Sequence, residues 1–353
     1  MPRTYDERDA RVRPGRGSRP RTKVRPEHSS ADRAMVTGVD RGRYTLLVAD
    51  PERVVHAMKA RELGRTRVVV GDQVDVVGDT SGADGSLARI VRIAERSTAL
   101  RRSADDVDPI ERVIVANADQ LVVVTALADP PPRTRMIDRC VVAAYDAGMD
   151  VLLCLTKSDL ASPEPIVALY VPLGVEVVVV GRVEADGERR IDGLDEVRAR
   201  LAGRVSVLVG HSGVGKSTLV NALVPDAGRA TGAVNDVTGR GRHTSSSAVA
   251  LRLPGGEGWV VDTPGVRSFG LAHVDPARIL DAFPELADVA EEGCPRGCTH
   301  LADARDCALD AWAAEGDESE GSDGCAARTV RVDSLRRLLV SRSGGEDRAS
   351  VQA

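Results

Sequence analysis

The residues with the clearest chemistry run from Gly210 to Thr218, GHSGVGKST, and satisfy the pattern G-x-x-x-x-G-K-[ST]. That chemistry is the cradling of a nucleoside polyphosphate. Glycines at 210, 213 and 215 let the backbone curl until successive N–H groups face one phosphate, with His211, Ser212 and Val214 between them. Lys216 has the reach for the β- and γ-phosphates, and Ser217, followed by Thr218, places a hydroxyl where Mg²⁺ would sit. The motif lies between a β-rich run, RVSVLV, and a helical run, STLVNALV, so the phosphates would also meet the positive end of a helix. Chance alone would match the four constrained positions in a chain this long roughly once in a hundred.

Three weaker signals gain meaning from this one. WVVDTPG ends a strand with Asp262, an acid able to hold the Mg²⁺ shell directly or through water, and the Gly265 N–H can sense the γ-phosphate. TKSD, Thr156 to Asp159, follows the strand VLLCL. A carboxylate at Asp159 can accept both the N1–H and the exocyclic amine of guanine, with the Lys157 stem over the base; a helix cap at Ser158 or Asp159 is the alternative. TGRGRHTSSS, Thr238 to Ser247, makes Thr244 the candidate for a second hydroxyl on Mg²⁺, with Ser245 competing. Contacts of that loop to a γ-phosphate exist only before hydrolysis, so it can order and relax with nucleotide state. Val266 cannot orient a water, which leaves His243 as a supplier of that function; a structural or RNA-facing histidine is the equal alternative.

A second constellation lies further on. Cys294, Cys298, His300 and Cys307 have the spacing C-x₃-C-x-H-x₆-C. Three thiolates and an imidazole complete a closed tetrahedral shell for one Zn²⁺ per chain, which leaves no open position and so points to a structural metal. Cys325 is the bystander that could substitute, and Cys140 and Cys154 lie in apolar runs as core thiols.

The elements that must position these groups fall into segments. Residues 35–96 alternate short β-rich runs (YTLLVAD, RTRVVVGDQVDVVGD, SLARIVRIAER) with turns, which predicts a small β-barrel, oligonucleotide-binding or SH3-like. Residues 97–275 alternate apolar strands with helices, TRMIDRCVVAAYDAGMD among them, and predict a parallel sheet covered on both faces. Residues 276–345 read as short helices around the Cys/His cluster, ending in TVRVDSLRRLLVS, and 346–353 as a disordered end. Residues 1–34 read as a disordered basic tail. Residues 1–30 hold nine Arg or Lys and four acids, and none of those acids lies between Arg11 and Arg25; such a tail is either solvated or a polyphosphate-seeking arm. The net charge is −5, and no run is apolar enough for a membrane span or a secretory leader, which implies a cytoplasmic protein, monomeric by default. Aromatic residues are only 2% of the chain, so base-stacking platforms are few; Arg101, Arg102, Arg336 and Arg337 are candidates for backbone-phosphate contact, with solvated surface the equal alternative for each.

The base-recognition motif precedes the phosphate loop and DTPG comes last, the order of a circularly permuted site. With R-G-R-H-T at Arg240–Thr244, DTPGVRSFGL at Asp262–Leu271 and the Cys/His cluster, residues 35–340 closely resemble the small-ribosomal-subunit GTPases of the RsgA (YjeQ) family, as an actinobacterial-like member. The resemblance implies an α/β fold: an oligonucleotide-binding-like barrel, a circularly permuted P-loop GTPase domain, and a mainly helical zinc-binding domain. It implies GTP hydrolysis with Mg²⁺, slow alone and faster on the small ribosomal subunit. It further implies rRNA binding by barrel and zinc domain, and a checkpoint role in late subunit maturation that includes release of another assembly factor. The family usually has Asn where this chain has Thr156, and Ser-Ala where it has Val180-Gly181, so guanine selectivity is the property these departures bear on. Two other functions stay open from residues alone: an RNA-binding structural factor with little turnover, and a P-loop ATPase.

Overall fold

The computed structural model describes residues 30–102, 112–185, 188–225, 248–256, 258–263, 269, 271, 274–315 and 321–342. The basic tail before residue 30, the Thr238–Ser247 loop with His243 and Thr244, and Gly265 with Val266 lie outside the described residues.

Alternation of apolar side chains builds the barrel. Strands β1 (Asp32–Asp40), β2 (Arg43–Ala49), β3 (Glu52–Lys59), β4 (Gln73–Gly78) and β5 (Ala88–Ile93) each turn every second residue inward. Val36, Leu46, Val48, Val55, Val74, Val76 and Ile90 thereby form a core of their own. The strands pair in the order β1-β2-β3-β5-β4, and β4 pairs back onto β1 with Asp32 opposite Val76, which closes the barrel. Strand β1 begins at Asp32, inside the stretch expected to be tail, because Ala34 already belongs to the barrel wall.

Two short antiparallel strands, β6 (Ala99–Arg102) and β7 (Arg112–Ala116), lead into the α/β domain. Its elements are β8 (Gln120–Ala126), α1 (Thr134–Asp146), β9 (Asp150–Thr156), α2 (Glu164–Tyr170) and β10 (Glu176–Val179). A hairpin, β11 (Gly181–Ala185) and β12 (Glu188–Asp192), precedes α3 (Leu194–Leu201), β13 (Val205–Gly210), α4 (Lys216–Leu223), β14 (Val249–Arg252) and β15 (Trp259–Asp262). In space the order is β10-β9-β8-β13-β15-β14, parallel from β10 to β15, with β14 antiparallel at the end and touching β1 of the barrel.

The central strands are apolar without interruption because both faces are covered. Leu121, Val123, Leu153, Leu155, Val207 and Val209 face α1, while Val122, Val124, Leu152, Cys154 and Leu208 face α3 and α4. The carboxy-terminal helices α5 (Pro276–Asp281), α6 (Pro284–Gly293), α7 (Ala308–Ala314) and α8 (Gly321–Arg342) have no separate core. Phe283, Leu286, Leu309, Leu335 and Leu338 join the same apolar cluster as the α1 face of the sheet. A buried arginine on α1 ties the parts together: Arg139 Nε donates to Phe269 O at 2.8 Å, and its Nη1 donates to Ser341 O at 3.3 Å on α8. Burial pushes the Cys140 and Cys154 thiols up to about 12, so both are inert packing groups.

Gly71 marks the joint between barrel and α/β domain. Its N–H donates to Val36 O at 2.8 Å, its carbonyl accepts from Asn117 Nδ2 at 2.9 Å, and its φ is 88°. A Cβ there would lie 1.9 Å from Ala116 O. Gly71→Ala is expected to cost about 2–4 kcal/mol in urea unfolding, whereas Gly85→Ala, equally left-handed but facing open space, costs about 1 kcal/mol. Equal losses in the two variants would refute the steric account of this joint.

Candidate functional site

The loops that leave β9, β13 and β15 all emerge from the carboxyl edge of the parallel sheet, where such sheets bind ligands. The phosphate loop leaves β13 at Gly210, whose missing Cβ would lie 2.6 Å from Val124 O on the neighbouring strand. Gly213 and Gly215 have φ of 85° and 94°, the left-handed geometry that turns N–H groups inward ahead of α4. Val214 is buried and anchors the loop; His211, Gly215 and Lys216 are half-buried, and Ser212, Gly213, Ser217 and Thr218 are exposed. Lys216 Nζ is ion-paired with Asp262 Oδ1, so the β13 and β15 loops meet through the two groups expected to share the phosphate and its metal. Thr263 is buried and its hydroxyl donates to Leu208 O at 2.8 Å, which holds the start of the DTPG turn against β13.

The base-side loop is joined to the phosphate loop by Thr156. Its side chain is buried, and its hydroxyl donates to Val214 O at 2.5 Å. Asp159 accepts the Arg182 N–H at 3.0 Å, which fixes the carboxylate beside the first strand of the hairpin. Gly181 is needed for this packing, since a Cβ there would lie 2.4 Å from Ser158 Oγ. Lys157, at φ 62°, extends along the site and its Nζ donates to Asp129 O. Thr156, Lys157, Asp159, Ile191 and Leu219 line a small apolar cavity of about 50 Å³ between the two loops. A larger groove of about 690 Å³ lies at the opposite ends of the strands, beside Gln120, Asp150 and Arg204, and contains none of the motif residues.

The four sulfur and nitrogen ligands of the second constellation converge. Cys294 Sγ lies 3.9 Å from Cys307 Sγ and 3.6 Å from His300 Nδ1, and all four ligand atoms, Cys298 included, fall within 4.8 Å of one another. A tetrahedral Zn²⁺ requires about 3.8 Å between sulfurs and about 3.5 Å from sulfur to nitrogen, so the donor set fits that ion. The Ala308 N–H donates to Cys294 Sγ at 3.3 Å and orients that ligand. Burial, reinforced by the Arg336 guanidinium, lowers the His300 pKa and favours the neutral, ligating ring. Burial pushes the Cys307 thiol up to about 11, so a thiolate there calls for a cation beside it. Cys325 stands apart, its thiol against Ala313 O at 3.2 Å.

Residues 93–272 match the RsgA GTPase family over half of the chain. The chain belongs to that family. It is 36% identical over 255 residues to the small ribosomal subunit biogenesis GTPase RsgA of Chlorobaculum tepidum, spanning 70% of this chain and 80% of the relative. To the RsgA of Gemmatimonas aurantiaca it is 34% identical over 264 residues, spanning 75% and 84%. Among solved structures, YjeQ from Thermotoga maritima superposes with a TM-score of 0.62 at 22% identity, over 90% of this chain and 100% of that one. YloQ, a circularly permuted GTPase, gives 0.60 at 21% identity, over 92% and 100%. The structural likenesses show the fold: an oligonucleotide-binding-type barrel, a permuted P-loop GTPase domain, and a helical region with a candidate metal cluster; membership of the RsgA GTPase family makes the chain a GTP hydrolase.

Within this RsgA-family framework, two arginines change their reading. Arg336 and Arg337 on α8 face inward and are not phosphate contacts. Arg336 Nε donates to His300 O at 3.1 Å, and its Nη2 lies 2.8 Å from Asp310 Oδ1 in an ion pair without hydrogen-bond alignment. Arg337 Nε donates to Asp138 Oδ1 at 3.2 Å, over the Tyr170 ring. The period of TVRVDSLRRLLVS could not tell which side α1 and α7 would cover. Arg133, whose Nη1 lies 2.9 Å from His211 Nε2, Ile191 and the Arg182 N–H belong to no sequence motif, because they reach the site only when distant loops fold beside it.

For the metal cluster, Cys307→Ala is expected to lower bound zinc from one per chain to well below one. With the cluster gone, proteolysis should begin between α6 and α7 while the barrel stays protected. Full zinc content by elemental analysis in this variant would exclude the four-ligand site.

Proposed function

We propose that this chain binds GTP·Mg²⁺ at the carboxyl edge of its permuted sheet and acts as a late-maturation checkpoint on the small ribosomal subunit. In this reading it is a cytoplasmic monomer that binds rRNA through barrel and zinc region, is stimulated by the subunit, and takes part in release of another assembly factor. The observation that carries the reading is the meeting of Asp159, the phosphate loop and Asp262 at one edge, in a chain whose relatives bear the name of small ribosomal subunit biogenesis GTPases. No described helix is long and apolar enough to cross a membrane.

Each site residue has a role in this reading. Asp159, with its carboxylate held by the Arg182 N–H, would accept the guanine N1–H and amine. Thr156 serves as the strut between base and phosphate loops, so its hydroxyl is engaged by Val214 and base recognition falls to Asp159. Lys216 would exchange Asp262 for the phosphates, which frees Asp262 for the metal shell beside Ser217. Bound Mg²⁺ neutralises charge on the phosphate oxygens. His243 would orient water, Thr244 would add a metal hydroxyl and Gly265 would sense the γ-phosphate. One Zn²⁺ at Cys294, Cys298, His300 and Cys307 would staple the helices that follow DTPG.

GTP hydrolysis is expected to rise at least about tenfold when purified small subunits are added, with ATP inert in parallel. His243→Ala should keep GDP affinity but lose most of that stimulation. Absence of stimulation by subunits that bind the protein tightly would defeat the checkpoint reading. For the base, Asp159→Asn exchanges an acceptor for a donor and is expected to move preference from GTP to XTP by about tenfold or more. Unchanged GTP preference in competition binding would remove Asp159 from the base site.

A further inference from the structure

The loop between β8 and α1 belongs to none of the sequence motifs, yet it touches both sides of the nucleotide site. At one end Asp129 O accepts from Lys157 Nζ of the base loop. In the middle, Pro130 packs along the phosphate loop, with its Cδ 3.6 Å from where a Gly213 Cβ would stand. At the far end Arg133 Nη1 lies 2.9 Å from His211 Nε2. A guanidinium only donates, so Nε2 of this pair is the acceptor and the ring proton resides on Nδ1, which faces Ser212 O at 3.4 Å. His211 thus brackets a cation at the rim of the phosphate loop.

The choice of bracket has a consequence for charge. Arg96, Arg198, Arg204 and Arg252 each pair with a carboxylate, and Lys216 with Asp262. Among the described residues no carboxylate pairs with Arg133, which is exposed. An acid in the place of His211 would cancel that charge and repel phosphate. An imidazole orients the guanidinium at no electrostatic cost to an anion beside it.

We propose that Arg133 is a substrate-contacting residue that supplies a guanidinium from within the chain to the γ-phosphate, with His211 as the residue that positions it. This rests on the assignment of the nucleotide site above. A cation at the γ-phosphate distinguishes GTP from GDP, because only the triphosphate carries the added charge.

The test measures affinities of the full chain for GDP and for non-hydrolysable GMPPNP in the parent, Arg133→Ala, Arg133→Lys and His211→Ala, alongside single-turnover GTP hydrolysis. Arg133 is exposed, so the variants should fold as the parent does, and their GDP affinity reports that directly. For Arg133→Ala, GMPPNP affinity is expected to fall about tenfold, with GDP affinity within about twofold of the parent and hydrolysis slowed by at least about tenfold. Lysine should recover part of the loss, and His211→Ala should reproduce part of it. Equal weakening of GDP and GMPPNP would overturn the proposal and make Arg133 a buttress of the loop. Parent-like GMPPNP affinity in Arg133→Ala would also overturn it, and a parent-like value in His211→Ala would overturn the bracket. A parent that binds neither nucleotide would overturn the site assignment itself, and this proposal with it.

Discussion

Burial of the parallel strands on both faces is the constraint on which the rest of the molecule depends. In β8 the odd residues Leu121 and Val123 pack toward α1, and the even residues Val122 and Val124 toward α3 and α4. Neither face can then carry polar chemistry, since a buried polar group without a partner costs about 1–3 kcal/mol. The chemistry is displaced to the strand ends, where loops are solvated and their backbone groups are free to bind. The exceptions inside are paired: Gln120 Nε2 donates to Ser206 Oγ at 2.8 Å and joins β8 to β13.

Three loops far apart in sequence are held at that edge by few contacts. The Thr156 hydroxyl on the Val214 carbonyl and the Lys216–Asp262 pair cross between neighbouring strand ends. Thr156 is small and buried, so its single hydroxyl is committed to the loop beneath it. Gly181 and Ser158 show a similar economy of space: the side chain missing at one position is occupied by the hydroxyl from the other. The departures from the family pattern are therefore packing solutions that leave the Asp159 carboxylate facing the cavity between the loops.

Circular order has a structural counterpart at the carboxy terminus. The strand β15 ends at Asp262, and from Pro276 the chain forms helices whose apolar side chains share one core with the sheet. Arg139 bonds to Phe269 on that exit path and to Ser341 at the end of α8, and the guanidinium buries its charge against carbonyl oxygens. The segment that follows β15 and the last helix are thus two partners of one side chain. The Cys/His cluster lies between α6 and α7, where the chain is short on apolar residues and a metal would replace the missing core.

Strand runs such as QLVVVTAL and RVSVLVG, the helix in TRMIDRCVVAAYDAGMD, the phosphate loop and the zinc spacing were legible because each is a local pattern: period 2 or 3.6, or residue types at fixed offsets. The permuted order was legible for the same reason, being only the order of motifs. The hairpin over the base side, β14 as the bridge to the barrel, and the contacts of Arg133, Arg336 and Arg337 were not. Each depends on which surface a distant element covers. Arg336 and Arg337 read as solvent-facing cations until α1 and α7 are packed beside α8, where Asp138 and Asp310 meet them. By itself the sequence determined the elements, the phosphate-loop motif and the Cys/His cluster, since these need only neighbours along the chain. Tertiary structure decided which cations are spent inside and which one stands bracketed at the phosphate loop, because pairing of charges is settled by proximity in space.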